Sequence, residues 1–157
     1  RGIVLDSMSE IDSAIRKYFG KLYEQANAER KNIVLSKLKR KFKDRAEETA
    51  AFQEALSVES VPVKIFDHRV VDFQVVRQRL AKKHECFQDS APLKRLQDLR
   101  NKLAHQPSKF NKDKNLIELM DQLSNEADSF DYARFKTIRS QLLAVRNVLR
   151  ELGVEGV

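Results

Sequence analysis

In 157 residues the chain has no tryptophan, one cysteine, four glycines and three prolines. The lone cysteine, Cys86, rules out an intramolecular disulfide and a thiolate metal cluster, and fits a reducing compartment. So little Gly and Pro gives few of the turns a strand-rich fold needs and favours long helices. No uninterrupted apolar run approaches the roughly 20 residues that a bilayer-crossing helix requires, and the opening residues carry no signal-peptide pattern. The expectation is a cytoplasmic protein with no membrane segment. Also missing are a Gly-rich phosphate loop, a kinase-like set of motifs and a serine nucleophile elbow, so nucleotide hydrolysis by those routes is not expected.

What the chain has in quantity is positive charge. Lys and Arg number 30 against 23 Asp and Glu, a formal net charge of +7. An excess of cations favours polyanionic partners, nucleic acid first among them. Hydrophobic residues make up 41%, and a chain of this length hides roughly 70% of its unfolded surface on folding. One domain spanning residues 1–157 is therefore expected.

Helical periodicity runs through most of it. Val4, Met8, Ile11, Ile15, Tyr18, Phe19 and Leu22 recur in steps of three and four, as one face of a long first helix requires. A second helix is expected from Val34 to about Leu56, with the basic run "KLKRKFKDR" of residues 37–45 on its outer face. The segment "SVESVPVKIFDHRV" lacks a helical period and reads as a packed loop. A third helix is expected over about Val70 to Phe87, with Val71, Val75, Val76, Leu80 and Phe87 inward and Arg77, Arg79, Lys82 and Lys83 largely outward. "QDSAP" reads as a helix start, capped by Asp89 or Ser90 with Pro92 in the first turn. That fourth helix buries Leu93, Leu96, Leu99 and Leu103, and Pro107 ends it. After a polar loop, two further helices are expected, Leu116 to about Ala127 and Asp131 to Leu152, the last capped by Asp131 and stopped by Gly153. The fold class that results is all-α, an up-and-down bundle of about five or six helices.

The stretch with the most chemistry is "LQDLRNKLAHQP". At 100° per residue Asn101 and His105 share one helical face, and Arg100 lies about 140° from His105, a gap that an arginine can span. A guanidinium holds phosphate oxygens through paired hydrogen bonds, and an imidazole exchanges protons near neutral pH. Such a set can cut RNA without a metal. His105 would take the 2′-hydroxyl proton or protonate the departing 5′-oxygen, Arg100 would stabilise charge on phosphorus, and Asn101 would orient the imidazole or a phosphate. One helix supplies one His, so two such helices facing across a two-fold axis would supply both acid and base.

The string "LRNKLAH" on a late helix of a small helical bundle resembles the Arg-Asn-x-x-x-His signature of the HEPN superfamily. The first segment, "RGIVLDSMSEIDSAIRKYF", is similar to the opening helix of that superfamily's mannitol operon repressor branch. The resemblance implies a HEPN-like bundle that dimerises so that two motifs meet in a cleft. It implies a metal-independent endoribonuclease of a toxin–antitoxin, abortive-infection or antiviral defence system, with Arg100, Asn101 and His105 at the site. RNA and an antitoxin or regulatory protein are the partners expected, and Lys94, Lys102 and Lys109 are candidate contacts to RNA phosphates. Other members of the superfamily have lost activity, so a catalytically silent bundle acting as a protein-binding regulator is the first alternative. A non-catalytic RNA-binding module is the second.

Each residue also has a plainer explanation. A His in a last turn is a favourable partner for the helix dipole, and Arg100 can lay its stem along the leucine stripe. His68 and His84 are too far apart for a helical zinc pair, and Asp67 with His68 reads as a capping or loop feature, so no metal site and no cofactor are expected. Cys86 lacks a nucleophile's surroundings and reads as a small buried hydrophobe.

Overall fold

The computed structural model describes residues 2–42, 73–120 and 127–157. The described chain is mostly helical. Helix α1 spans Gly2–Glu24, α2 Ala28–Phe42, α3 Phe73–Leu80, α4 Pro92–His105 and α5 Tyr132–Glu151, with a 3-10 turn at Glu85–Phe87 between α3 and α4. Between α4 and α5 lie three short strands, β1 Ser108–Asn111, β2 Leu116–Met120 and β3 Ala127–Phe130, forming an antiparallel sheet in the order β1-β2-β3.

One continuous core joins these elements. α1 contributes Val4, Met8, Ile11, Ile15 and Phe19, α4 contributes Leu93, Leu96 and Leu103, and α5 contributes Ile138, Leu142, Val145 and Leu149. The steps of three and four along α1 and α4 are those read from the sequence. Each fully buried Leu or Ile contributes about 1.5–3 kcal/mol relative to exposure. Ion pairs fasten the outside of the same packing, Glu10 of α1 to Arg146 of α5 and Lys21 to Glu155, the latter at 2.7 Å.

The last helix begins and ends as expected. Asp131 accepts a hydrogen bond from the Arg134 backbone N–H at 2.7 Å, which satisfies one of the orphan donors of a helix start. At the other end Gly153 takes φ +77°, its N–H donates to Arg150 O, and the Val154 N–H donates to Leu149 O. That crossed pair of bonds is a Schellman stop, which favours glycine because only it enters the left-handed region without a Cβ penalty.

The sheet corrects the all-α expectation. The segment from Leu116 is strand, not helix, and the helix expected to Ala127 does not form: β2 ends at Met120 and β3 covers Ala127–Phe130. The reason lies in the loop before it. The Asn111 carboxamide accepts from the Lys114 N–H at 3.1 Å, and Asn115 adopts φ 49°, a left-handed conformation that asparagine tolerates. Residues 112–115 therefore turn the chain back on itself, and β1 pairs with β2 from Ser108↔Leu119 to Asn111↔Leu116. "LIELM" then follows the period of two, with Ile117 and Leu119 on the core side, Leu119 fully buried, while Glu118 accepts from Asn111 at 3.1 Å.

The third helix is also shorter than expected. It ends at Leu80; a turn at residues 81–83 and the 3-10 turn follow, the His84 Nδ1 capping that turn by accepting from the Cys86 N–H at 3.1 Å. Arg77, expected outward, has 0% exposure. Its guanidinium donates to the Phe87 carbonyl at 2.5 Å and pairs with the Asp89 carboxylate. Asp89 is engaged there, and neither it nor Ser90 caps α4. Ala91 takes that position without a side-chain bond, and Pro92 opens the helix where no donor is needed. The second helix beyond residue 42, the side chains of the basic run 37–45, the packed loop, Asp67 and His68 lie outside the described residues.

Candidate functional site: the carboxyl end of helix α4

Helix α4 is held by leucines and finishes in solvent. Leu93, Leu96 and Leu103 are buried and Leu99 is partly so, which fixes the helix's rotation against the core. Rotation fixed in that way turns Asn101 and His105 outward, and both are exposed, while Arg100 is half-buried at the edge of the stripe. His105 is the last helical residue, followed by Gln106, whose N–H donates to Lys102 O at 2.9 Å. Along the axis Arg100 and His105 are about 7.5 Å apart at 1.5 Å per residue.

The Arg100 Nη1 donates to Asn101 Oδ1 at 3.2 Å. Asn101 thus supports the guanidinium, where the sequence suggested a partner for the imidazole or a phosphate. Among the described residues no carboxylate pairs with Arg100, and the His105 imidazole makes no hydrogen bond or ion pair. An uncompensated guanidinium and a free imidazole on one exposed helix end can accept an anion and exchange a proton with it.

The neighbouring cations are in a different state. Lys94 pairs with Asp98 at 2.5 Å and stands in the first turn of α4, about 16 Å along the axis from His105. Lys102 lies 3.6 Å from Asp128 of β3. Lys109 is exposed on β1, where its Cα faces Glu118 across the ladder. The structure thus sets Lys102 beside the motif and carries Lys94 away from it.

Asp128 is the residue that sequence reasoning missed. The Arg134 guanidinium hydrogen-bonds to it at 2.5 Å and holds its carboxyl below the usual carboxylate range, with partial burial opposing the shift and Lys102 adding to it. Arg134 also donates to Ser129 O at 2.7 Å and lies 3.9 Å over the Phe130 ring. Asp128 therefore carries an anion to the flank of α4, where it faces Lys102, while no described carboxylate faces Arg100. Nothing local in the sequence links these positions; only the hairpin brings β3 alongside the helix.

Two other candidates take on structural roles. Burial, with Glu85 adding, pushes the Cys86 thiol up to about 11, so it stays protonated at neutral pH and is a poor nucleophile. His84 is used as a cap. Among the described residues no three His, Cys, Asp or Glu side chains cluster, and no helix is long and apolar enough to cross a membrane. Comparison with family models, with curated proteins and with solved structures gives no match.

Proposed function

We propose that the chain is a metal-independent endoribonuclease of HEPN type, working in the cytoplasm as a homodimer within a toxin or defence system. The observation that carries the reading is the end of α4, where, among the described residues, Arg100 has no carboxylate partner and the exposed His105, five residues further along the same helix, makes no hydrogen bond or ion pair. Lys94 and Lys102, by contrast, each face a carboxylate on the same helix or beside it.

In the proposed reaction a ribose 2′-oxygen forms a bond to the adjacent phosphorus while the bond from phosphorus to the 5′-oxygen breaks. His105 of one copy takes the 2′-hydroxyl proton, and His105 of the second copy gives a proton to the departing 5′-oxygen. Arg100, oriented by Asn101, stabilises the extra negative charge on the five-coordinate phosphate. The products are a 2′,3′-cyclic phosphate and a 5′-hydroxyl. Lys102 and Lys109 would meet flanking phosphates, Lys102 after exchanging Asp128 for RNA. An antitoxin or regulatory protein is the partner such a system requires.

The test is incubation of the purified protein with RNA in EDTA. Cleavage leaving 2′,3′-cyclic phosphate ends, lost by about 10²-fold or more in His105→Ala, is the expected result. Cleavage that requires magnesium, or survives that substitution, rejects the mechanism. Intact RNA bound in a salt-sensitive way would instead support a non-catalytic RNA-binding module, and neither activity would leave the silent, protein-binding bundle.

A further inference from the structure

A second surface, made without any residue of α4, lies between the start of α1 and the outer side of α5. It is a cavity of about 750 Å³ whose floor includes Val4, Phe135 and Leu142, with Ile3, Tyr132 and Leu143 at its rim. The rim residues are 78%, 81% and 57% exposed. Single exposed apolar residues are ordinary on a protein surface, but three around one concavity are not. The pattern is built into α5 itself, which carries a stripe at 132, 135–136, 139, 142–143 and 146 beside the core stripe at 138, 142, 145 and 149.

Among the described residues the charges lining this cavity are all of one sign. Lys136, Arg139 and Arg146 line it, and no described carboxylate does. Arg146 is neutralised by Glu10, whereas Lys136 and Arg139 have no carboxylate partner among the described residues.

We infer that the groove between α1 and α5 is a docking site for an acidic amphipathic helix of a partner protein, its apolar stripe on Ile3, Tyr132 and Leu143 and its carboxylates against Lys136 and Arg139. A volume of about 750 Å³ accepts several side chains spaced at i, i+3/i+4 and i+7, the usual anchors of a helix lying in a groove. A second copy of this chain is disfavoured, because a two-fold contact would bring the same positive rim against itself. Single-stranded nucleic acid is less favoured because Ile3, Val4, Ile117, Leu142 and Leu143 make most of the apolar lining aliphatic, leaving Tyr132 and Phe135 as the rings on which bases could stack. The inference is independent of RNA cleavage, since none of its residues lies on α4.

The probe is a fluorescently labelled helical peptide with a leucine stripe and a glutamate polar face, followed by anisotropy at low and high salt. Saturable binding that weakens with salt is expected. Leu143→Asp, on an exposed side chain, should weaken it about tenfold or more, as loss of an apolar anchor does. The double variant Lys136→Glu/Arg139→Glu should lose the acidic peptide and take up one carrying lysines in place of its glutamates. Absence of saturable binding, or binding indifferent to Leu143→Asp in a variant whose circular dichroism is unchanged, overturns the proposal. Displacement of the peptide by single-stranded RNA, or a halved solution mass in Leu143→Asp, overturns it too, by assigning the groove to nucleic acid or to a second copy.

Discussion

Arg77 and Arg100 sit near the ends of successive helices and have opposite surroundings. Arg77 is wholly buried at the end of α3, its guanidinium shared between the Phe87 carbonyl and the Asp89 carboxylate. Arg100, near the end of α4, is partly exposed and, among the described residues, hydrogen-bonds only to the neutral Asn101 carboxamide. The first arginine closes the chain reversal between two helices. The second meets no carboxylate among the described residues. Identical side chains at similar helical positions are thus separated by what the rest of the fold brings to them, and a carboxylate partner is the mark of the difference.

Substituting the two arginines should separate them most widely. Arg77→Ala removes a buried side chain and strands the Phe87 carbonyl, and should cost about 3 kcal/mol in a urea unfolding experiment. An unaltered midpoint would break the comparison. Asp89→Asn leaves Arg77 an acceptor but takes away the compensating charge, and should cost about 1–2 kcal/mol. If it costs nothing, Arg77 is held by packing alone.

Lys102 sharpens the contrast because it lies two residues from Arg100 and does have an anion. The Asp128 carboxyl is held low in the folded state, chiefly by the Arg134 hydrogen bond, so its contribution is present above the unfolded carboxylate value of about 3.9 and is lost as pH falls through the folded value. The stability difference between the wild type and Asp128→Asn should be a few tenths of a kcal/mol to about 1 near neutral pH, as for other partly exposed pairs, and should vanish in acid. A difference that persists at the lowest pH would show that the charge is not its source. Arg100→Ala has the smallest effect on folding, less than about 0.5 kcal/mol, because it breaks no ion pair and opens no buried cavity. A larger loss would place Arg100 with Arg77 and remove the reason for reading it as a site.

Much of this arrangement could be read from the chain before folding was considered. The spacing along α1 and α4, the Asp131 cap and the Gly153 stop are all local signals, and the folded chain uses each of them. "LIELM" is different: five apolar-rich residues fit a helix or a strand equally well, and the deciding signal was the pair of asparagines flanking the turn, Asn111 and Asn115. Arg77 was illegible for another reason. Its burial depends on a carbonyl and a carboxylate ten and twelve residues further on, beyond any helical period. At the candidate site the exposed end of α4 and its three motif residues were legible, since one helix carries them. The pairing that engages Lys102 and spares Arg100 was not, because Asp128 arrives on a strand the sequence did not announce.

The most direct measurement is the chemistry of RNA ends after incubation with the protein in EDTA, wild type beside His105→Ala. The account predicts 2′,3′-cyclic phosphate ends from the wild type and intact RNA from the variant. Equal cleavage by both proteins, or intact RNA with both, would contradict it.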